Sequence, residues 1–184
     1  MKIRLAAPLQ SDSVVDGPGI RTVIWTQGCS HNCPFCHNAF TQDFNGGYLE
    51  DVSNVLSEID KLKGQNGITL SGGDPLFQID AITEIVKYAK KKQINIWCYT
   101  GFTWEEVLKM GSKNPKYLEF LDNIDVLVDG RFEIDNIDPN ALFRGSSNQR
   151  LIDVKESLKT GNIVLYPETD GIMEKFKSNE TMYI

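Results

Sequence analysis

Three of the four cysteines of the chain lie within eight residues, in the segment Cys29–Cys36, which we call the cysteine loop. They follow the spacing C-x3-C-x2-C, and so dense a grouping of thiols indicates a shared metal centre. A 4Fe–4S cluster has four irons, each held by one thiolate in the ferredoxin pattern. Three thiols would leave one iron open to a further ligand. The spacing therefore indicates chemistry rather than electron storage alone.

Zinc is the alternative metal for the same thiols, because structural zinc usually takes four protein ligands. The candidates for its fourth ligand are His31 and His37, since one lies in the cysteine loop and the other directly after it. A zinc site would make the chain a binding module, and a simple iron–sulfur electron carrier would use the same cysteines. The thiol pattern alone leaves these alternatives open.

Length and composition limit the remaining possibilities. The chain has 184 residues, which is enough for one domain with a core and short for two. A formal charge of −6 argues against nucleic acid as the main partner, because phosphate binding requires clustered Lys and Arg. No apolar stretch approaches the ~20 residues of a membrane span, and the first residues begin no signal peptide. Cysteines grouped on one loop do not form a secreted disulfide framework, so a reducing cytoplasm fits best.

Hydrophobic patterning alternates strands with helices and predicts parallel βα units in a single α/β domain over 1–184, with a C-terminal tail at about 168–184. Strands are predicted at 2–7, 21–27, 68–70, 94–99 and 124–128, with strands or strand-like extensions at 151–154 and 162–166. Helices are predicted at 50–62, around 82–89, after the capping box Thr103–Glu106, and at 118–121. Segment 11–19 is rich in turn residues and is predicted to lack regular structure.

Four chemically suggestive stretches follow predicted strands, and ligands collect at the C-terminal ends of parallel strands. They are the cysteine loop and segments 71–74, 98–101 and 129–131. The glycines of Ser71–Asp74 would let the backbone approach a ligand closely, although Gly-Gly-Asp-Pro is also an ordinary strand-to-helix turn. Cys98 lies inside an apolar strand, where a free cysteine acts as a small hydrophobe, so we predict a structural role for it.

The cysteine loop, with Phe35 before its last cysteine, resembles the signature of the radical S-adenosylmethionine (SAM) enzymes. The resemblance implies that Cys29, Cys33 and Cys36 hold one 4Fe–4S cluster whose open iron is chelated by SAM. It further implies that the reduced cluster cleaves SAM to methionine and a 5′-deoxyadenosyl radical. Ser71–Asp74 resembles the Gly-Gly-Glu motif that receives the amino group of SAM, with Asp in place of Glu.

The same resemblance implies SAM contacts for four further residues, each of which has a structural alternative. Phe35 would pack near the adenine, or would anchor the loop in the core. Asn38 would orient the ligand, or would cap a turn. Asp129 and Arg131 stand where related activases place an acid and a base against SAM. Arg replaces the more common Lys there, and a surface ion pair explains these two residues equally well.

Further runs narrow the resemblance to one group. Asp16–Arg21 resembles the lead-in of the glycyl-radical-enzyme activases, and runs 97–101, 125–132 and 143–150 resemble the activating protein of the anaerobic (class III) ribonucleotide reductase. The resemblance covers Asp16 to about Val154. It implies a partial (β/α) barrel open on one side, a flavodoxin-like or other one-electron donor, and removal of a hydrogen from a glycine of the reductase large subunit. A small radical SAM enzyme acting on a small molecule, similar to a deazaguanine synthase, is the alternative with the same chemistry.

Overall fold

An eight-stranded sheet is the frame of the protein in a computed structural model that describes residues 1–167. The strands are β1 (Lys2–Leu5), β2 (Gln10–Ser13), β3 (Arg21–Thr26), β4 (Tyr48–Asp51), β5 (Gly67–Gly72), β6 (Asn95–Tyr99), β7 (Val126–Asp129) and β8 (Arg150–Asp153). The helices are α1 (Val52–Asp60), α2 (Ile79–Lys91), α3 (Trp104–Gly111), α4 (Lys116–Leu121) and α5 (Val154–Thr160). The predicted tail at 168–184 lies outside the described residues. Within residues 1–167, no helix is both long and apolar enough to cross a bilayer.

The sheet is parallel in its centre and open at its edges. Its strand order is β4-β1-β3-β5-β6-β7-β8, and β2 pairs with β3 beside β1. Strands β3, β5, β6 and β7 are parallel neighbours, whereas β1, β2, β4 and β8 pair antiparallel. Across residues 1–167 the order ends at β4 and β8, which do not pair with each other. The predicted α/β fold, a partial barrel open on one side, is confirmed.

Side-chain alternation along each strand divides the sheet into two faces. On β6, Ile96 and Cys98 pack into the main core, together with buried apolar residues of helices α1 to α4. Trp97 instead joins a second cluster with Val126, Val128 and Leu151 on the concave face. The helices therefore cover one face, and the other face forms the inside of the partial barrel.

The inside of the partial barrel contains a buried arginine. The Arg21 guanidinium donates from Nε to Thr69 Oγ1 at 2.7 Å, from Nη2 to the Ile68 carbonyl at 2.6 Å and from Nη1 to Asn95 Oδ1 at 3.0 Å. It also lies 5.4 Å from the centre of the Trp97 ring. Burial lowers the pKa of Arg21 to about 10. This one side chain therefore joins β3, β5 and β6 across the concave face.

The structure corrects the prediction in three places. Segment 11–19 includes part of β2, whose polar sequence is held as a strand by antiparallel pairing with β3. Strand β4 takes up the first two residues of the predicted helix at 50–62, so α1 begins at Val52, and β4 pairs with β1 at the sheet edge. Helix α5 separates the two predicted strands at 151–154 and 162–166, because Asp153 accepts a hydrogen bond from the Glu156 backbone and so caps it. The second of those strands is reduced to a single bridge at Leu165.

Candidate cluster and cofactor site

The cysteine loop begins directly after β3 and is fastened at its base by backbone hydrogen bonds. Gly28 donates to the Thr41 carbonyl at 2.8 Å, and Cys29 donates to the Gln42 carbonyl at 3.0 Å. The Gly28 carbonyl in turn accepts from the Asp74 backbone at 2.9 Å. The start of the loop is therefore bonded both to the turn that follows it and to the end of β5.

Two residues of the loop have a left-handed backbone conformation, which non-glycine residues rarely adopt. Asn32 has a φ of 51° and Phe35 a φ of 56°. Each such residue costs about 1 kcal/mol or more, and it persists only where the surroundings impose it. Left-handed residues beside Cys33 and Cys36 indicate that the loop is shaped to present its thiols.

The loop forms one wall of an open cleft of about 570 Å³, a size typical of small-molecule sites. The other walls are the ends of β5, β6 and β7 and the segment 141–149. All three loop cysteines line this cleft, together with Ser71, Gly72, Gly73, Thr100, Gly101 and Gly130. The four stretches that follow predicted strands therefore meet at one edge of the sheet.

The surroundings of two cleft thiols, Cys29 and Cys33, favour the protonated form. Burial raises the pKa of Cys29 to about 11, and hydrogen bonding to the His31 backbone opposes part of that rise. Burial also raises the pKa of Cys33, against the effects of a hydrogen bond to the Phe132 backbone and the charge of Arg131. A metal centre would have to displace these protons, because thiolates are the ligands.

A single ion and a cluster differ in how closely their protein ligands must converge. Among residues 1–167, no three His, Cys, Asp or Glu side chains are grouped so that they could hold one metal ion. A four-iron cluster does not require such convergence, since each thiolate binds a different iron. Of the two histidines in the zinc hypothesis, His31 binds Asp74 through Nε2 at 2.8 Å, and the His37 ring packs 4.5 Å from that of Phe132.

The glycines of the 71–74 segment are required by the packing of the protein itself. Gly72 has a φ of +104°, and a Cβ there would lie 2.5 Å from the Thr26 carbonyl oxygen. A Cβ on Gly73 would lie 2.5 Å from the Gly28 carbonyl oxygen. The glycines therefore bring the end of β5 against the start of the cysteine loop. The same close approach leaves their backbone on the wall of the cleft.

Asp74 does not line the cleft, and its predicted contact with SAM stays a prediction. Its carboxylate is buried and accepts hydrogen bonds from His31 Nε2, Thr100 Oγ1 and the backbone of Gly101 and Leu76. All four donors belong to the protein. The neighbouring residues Ser71–Gly73 line the cleft, and the Asp74 carboxylate joins the loops around it.

Phe35 and Asn38 have different surroundings. The Phe35 side chain is 78% exposed, so the alternative of a core anchor is wrong. Asn38 lines the cleft and precedes the short 3₁₀ turn Ala39–Thr41, but its side chain makes no capping hydrogen bond. The structure therefore leaves the Asn38 amide on the cleft wall.

Asp129 and Arg131 are not brought into the cleft. The Asp129 carboxylate is buried, accepts from the Trp104 backbone at 2.7 Å and from Arg150 Nε at 3.0 Å, and so holds the start of α3 beside β8. Arg131 is exposed and lies outside the cleft lining, although its charge opposes the rise in the pKa of Cys33. Asp129 therefore forms a structural ion pair with Arg150, and the SAM contacts predicted for Asp129 and Arg131 stay predictions.

The sequence did not single out Gln149, which organises the polar loop at 144–150. Its Oε1 accepts from the Gly145 backbone at 2.8 Å, and its Nε2 donates to the Gly130 carbonyl at 2.9 Å. Both Gln149 and Gly145 line the cleft. The density of amide and hydroxyl side chains in this run was the available signal, but it did not indicate which residue makes the key contacts.

Comparison with known proteins agrees with this site. Residues 15–152 match the family model described as a 4Fe-4S single cluster domain. The chain is 37% identical over 144 residues to the anaerobic ribonucleoside-triphosphate reductase-activating protein of Enterobacteria phage T4, covering 74% of this chain and 86% of the phage protein. It is 37% identical over 147 residues to the protein of the same name from Escherichia coli K12, covering 74% and 90% respectively. The protein of that name from Haemophilus influenzae is 34% identical over 144 residues, covering 74% and 89%.

The match over 15–152 makes this chain a member of the 4Fe-4S single cluster domain family. Within that class, its identity to the curated relatives shows that it belongs to the family of anaerobic ribonucleoside-triphosphate reductase-activating proteins. A solved structure, QueE from Escherichia coli, aligns with a TM-score of 0.46 at 14% identity, covering 55% of this chain and 53% of that chain.

Proposed function

We propose that this protein is a radical SAM activase that generates the glycyl radical of an anaerobic ribonucleotide reductase, acting on its large subunit. The observation that carries the proposal is the meeting of three thiols and the glycine-rich end of β5 in one open cleft. The chain bearing that cleft belongs to the reductase-activating family. The cofactors are one 4Fe–4S cluster and SAM.

Cys29, Cys33 and Cys36 are the proposed cluster ligands. They share one loop, and all three line the cleft. Three thiolates suit three irons of a 4Fe–4S cluster and leave the fourth for an external ligand. His31 is directed to Asp74, and Cys98 packs in the core on the helix-covered face of the sheet. These contacts support a set of three protein ligands rather than four.

Ser71–Gly73 and Asn38 are the proposed SAM contacts among the residues of the cleft. Backbone without side chains at 72 and 73 allows a charged, flexible ligand to approach closely. The Asn38 amide offers both a donor and acceptors on the same wall. Phe35 stays a proposed contact for the adenine, because its exposed ring is available to a ligand that brings its own apolar surface.

The proposed substrate is a glycine of a partner protein. When bound, the cluster and SAM supply a one-electron cleavage that yields a radical able to remove a hydrogen from the glycine Cα. The chain itself positions these groups and limits access of water, and we assign no general acid or base. The cleft opens to solvent at the edge of the sheet, where a glycine-bearing loop could enter and complete the enclosure.

The proposed electron donor is a flavodoxin-like or other one-electron carrier. A reducing compartment, the cytoplasm, is the proposed location, because three partly exposed thiols beside one another would oxidise elsewhere. Nucleic acid is not a proposed partner, given the net charge of −6.

Anaerobic electron paramagnetic resonance tests the proposal. The reconstituted protein is incubated with SAM, a one-electron reductant and the reductase from the same organism. We expect a doublet, because an unpaired electron on Cα couples to its one remaining hydrogen. Replacing the radical glycine of the partner with Ala should abolish it. No doublet, together with brisk SAM turnover driven by a small molecule, would instead establish the small-molecule alternative.

A further inference from the structure

His31 lies in the cysteine loop between two proposed ligands and lines the cleft, and its side chain reaches into the protein. Its side chain is only 6% exposed, and its Nε2 lies 2.8 Å from Asp74 Oδ2. A carboxylate oxygen accepts hydrogen bonds, so the ring carries its hydrogen on Nε2. The contact spans 43 positions of the chain and joins the loop after β3 to the end of β5.

Asp74 extends this link to a third strand end. Its Oδ2 also accepts from Thr100 Oγ1 at 2.8 Å and from the Gly101 backbone at 2.9 Å, both directly after β6. Its Oδ1 accepts from the Leu76 backbone at 2.9 Å. With a side chain 1% exposed, the carboxylate depends on these donors in place of water. Loss of one donor would leave a buried charge short of a partner.

Packing around the His31 ring fixes its orientation. The ring meets Phe102 edge to face at 4.5 Å between centroids and lies 5.7 Å from the ring of Phe77. At Gly101 a Cβ would approach the imidazole to 2.4 Å, so this glycine leaves the space that the ring occupies. The contact is thus enclosed on several sides, unlike an exposed surface pair.

The rest of the loop is attached elsewhere, since Cys33 bonds to the Phe132 backbone, shortly after β7. The backbone bonds of Gly28 and Cys29 fasten only its first residues. Within the loop, Cys36 donates to the Cys33 carbonyl at 3.2 Å, a contact that leaves the orientation of the loop free. The His31 side chain ties the middle of the loop to β5 and, through Asp74, to β6.

We propose that His31 is a positioning residue, which through Asp74 fixes the cysteine loop relative to the Ser71–Gly73 wall. The inference rests on the proposed function, because it concerns how the cluster site and the SAM site are kept in register. The proposed role of His31 is to support the loop, and it is not proposed as a ligand of either cofactor. Its loss leaves the three thiols intact, so the cluster still assembles, while SAM meets a displaced loop and binds more weakly.

The test compares four substitutions in the reconstituted full chain. His31→Leu removes the hydrogen-bond donor to Asp74. In His31→Asn the side chain carries a donor but is too short to reach the Asp74 carboxylate. His31→Gln places an amide donor near the position of Nε2. Ser30→Ala is the matched control, because Ser30 is exposed in the same loop. Each protein is measured for iron and sulfide per chain, for the dissociation constant of SAM by equilibrium dialysis, and for the paramagnetic resonance spectrum of the reduced cluster with and without SAM.

We expect all four variants to retain the iron content of the wild type. SAM should bind about 10- to 100-fold more weakly to His31→Leu and His31→Asn, the range found when outer-shell partners are removed. His31→Gln should recover most of that loss, and Ser30→Ala should match the wild type. SAM changes the paramagnetic resonance spectrum of the reduced cluster. In His31→Leu and His31→Asn this change should be smaller than in the wild type when the same fraction of the protein has SAM bound. If His31→Leu does not fold, His31→Asn carries the same comparison.

Two outcomes would overturn the positioning role alone. The first is that His31→Leu and His31→Asn bind SAM as tightly as Ser30→Ala does, while the wild type binds both cofactors. The other is loss of iron from every His31 variant, including His31→Gln, which would make His31 a ligand. A wild type that holds four irons and binds no SAM would overturn the proposed function and this inference together.

Discussion

Cys98 differs from the other cysteines in the face of the sheet that it occupies. On β6 it alternates with Trp97 and Tyr99, so its thiol points to the helices, whereas Tyr99 lines the cleft. Cys98 is fully buried, and burial raises its pKa well above the ordinary value. A buried protonated thiol on the far face is a packing residue.

Single substitutions should separate the four cysteines. Cys29→Ser, Cys33→Ser and Cys36→Ser should each lose most of the iron bound after anaerobic reconstitution, since each removes one ligand of a shared cluster. Cys98→Ala should keep its iron and lose about 1 kcal/mol of unfolding free energy through the small cavity it leaves. Iron and sulfide analysis with urea unfolding measures both. A Cys98→Ala variant that folds without iron would refute the assignment.

Gly72 is constrained by Thr26, so a bulky residue there should act on folding as well as on any ligand. We expect Gly72→Val to lose at least about 3 kcal/mol of unfolding free energy, because a Cβ would lie 2.5 Å from the Thr26 carbonyl oxygen at a φ of +104°. Urea unfolding of the metal-free protein isolates this effect from ligand binding.

The matched control is Gly161→Ala, at a residue that ends α5 with a φ of +69° and has no atom within 4 Å of the added Cβ. It should lose only about 1 kcal/mol, the penalty of the left-handed conformation itself. Equal losses in the two variants would show that contact with Thr26 contributes nothing.

The chemistry of individual residues was predictable where it was local in sequence. The thiol spacing and the glycine run are each contained in one short segment. The partners of Asp74 were not predictable, because Thr100 and His31 lie 26 and 43 positions away. Asp129 illustrates the same limit, since its partner Arg150 is brought beside it only by the antiparallel pairing of β7 with β8.

At the scale of elements, periodicity predicted the buried strands and the amphipathic helices well. The capping box at Thr103 and Glu106 is present at the start of α3 with both of its hydrogen bonds. Elements stabilised by their neighbours escaped the prediction. Strand β2 is polar and β4 lies at an edge, so neither has the alternation that marks a strand with one buried face.

Arg21 joins three strands on the concave face, so we expect its replacement to lower the free energy of unfolding strongly. Arg21→Lys keeps a charge but cannot reproduce the bonds to Thr69, Asn95 and the Ile68 carbonyl from one planar group. We expect a loss of about 3 kcal/mol in unfolding free energy, typical of breaking a buried network. Chemical denaturation with a two-state fit is the measurement.

Arg4→Lys on the neighbouring strand β1 is the control. Arg4 is half-buried and donates from Nη1 to the carbonyls of Asn45 and Gly46. A lysine can replace bonds of that kind, so the loss should stay below about 1 kcal/mol. A similar loss of unfolding free energy in both variants would mean that the buried bonds of the Arg21 guanidinium contribute no more to stability than the half-buried bonds of Arg4.

At the scale of the whole molecule, the open edge of the sheet is bordered by exposed apolar side chains. Val14, Val15 and Leu142 line the cleft and are exposed, and Phe40, in the turn directly after the cysteine loop, is 71% exposed. Exposed apolar groups gathered around a site mark a surface for binding another protein. A protein substrate whose glycine must enter this cleft would cover them.

Phe40→Ser therefore should weaken recognition of the reductase without altering the cofactor site. We expect about a tenfold rise in the reductase concentration that gives half-maximal glycyl radical formation, since burial of one large apolar side chain contributes about 1.5–3 kcal/mol. Iron content and the dissociation constant of SAM should equal those of the wild type. The radical is quantified by the doublet in the resonance spectrum across a series of reductase concentrations.

Leu49→Ser supplies the comparison, because Leu49 is also exposed but lies on the edge strand β4 and not in the turn that follows the cysteine loop. It should activate the reductase with the concentration dependence of the wild type. If Phe40→Ser and Leu49→Ser behave alike, the apolar border does not contribute to docking. If Phe40→Ser instead binds SAM more weakly, the Phe40 side chain supports the cofactor site. Its exposure would then not be explained by binding of the reductase.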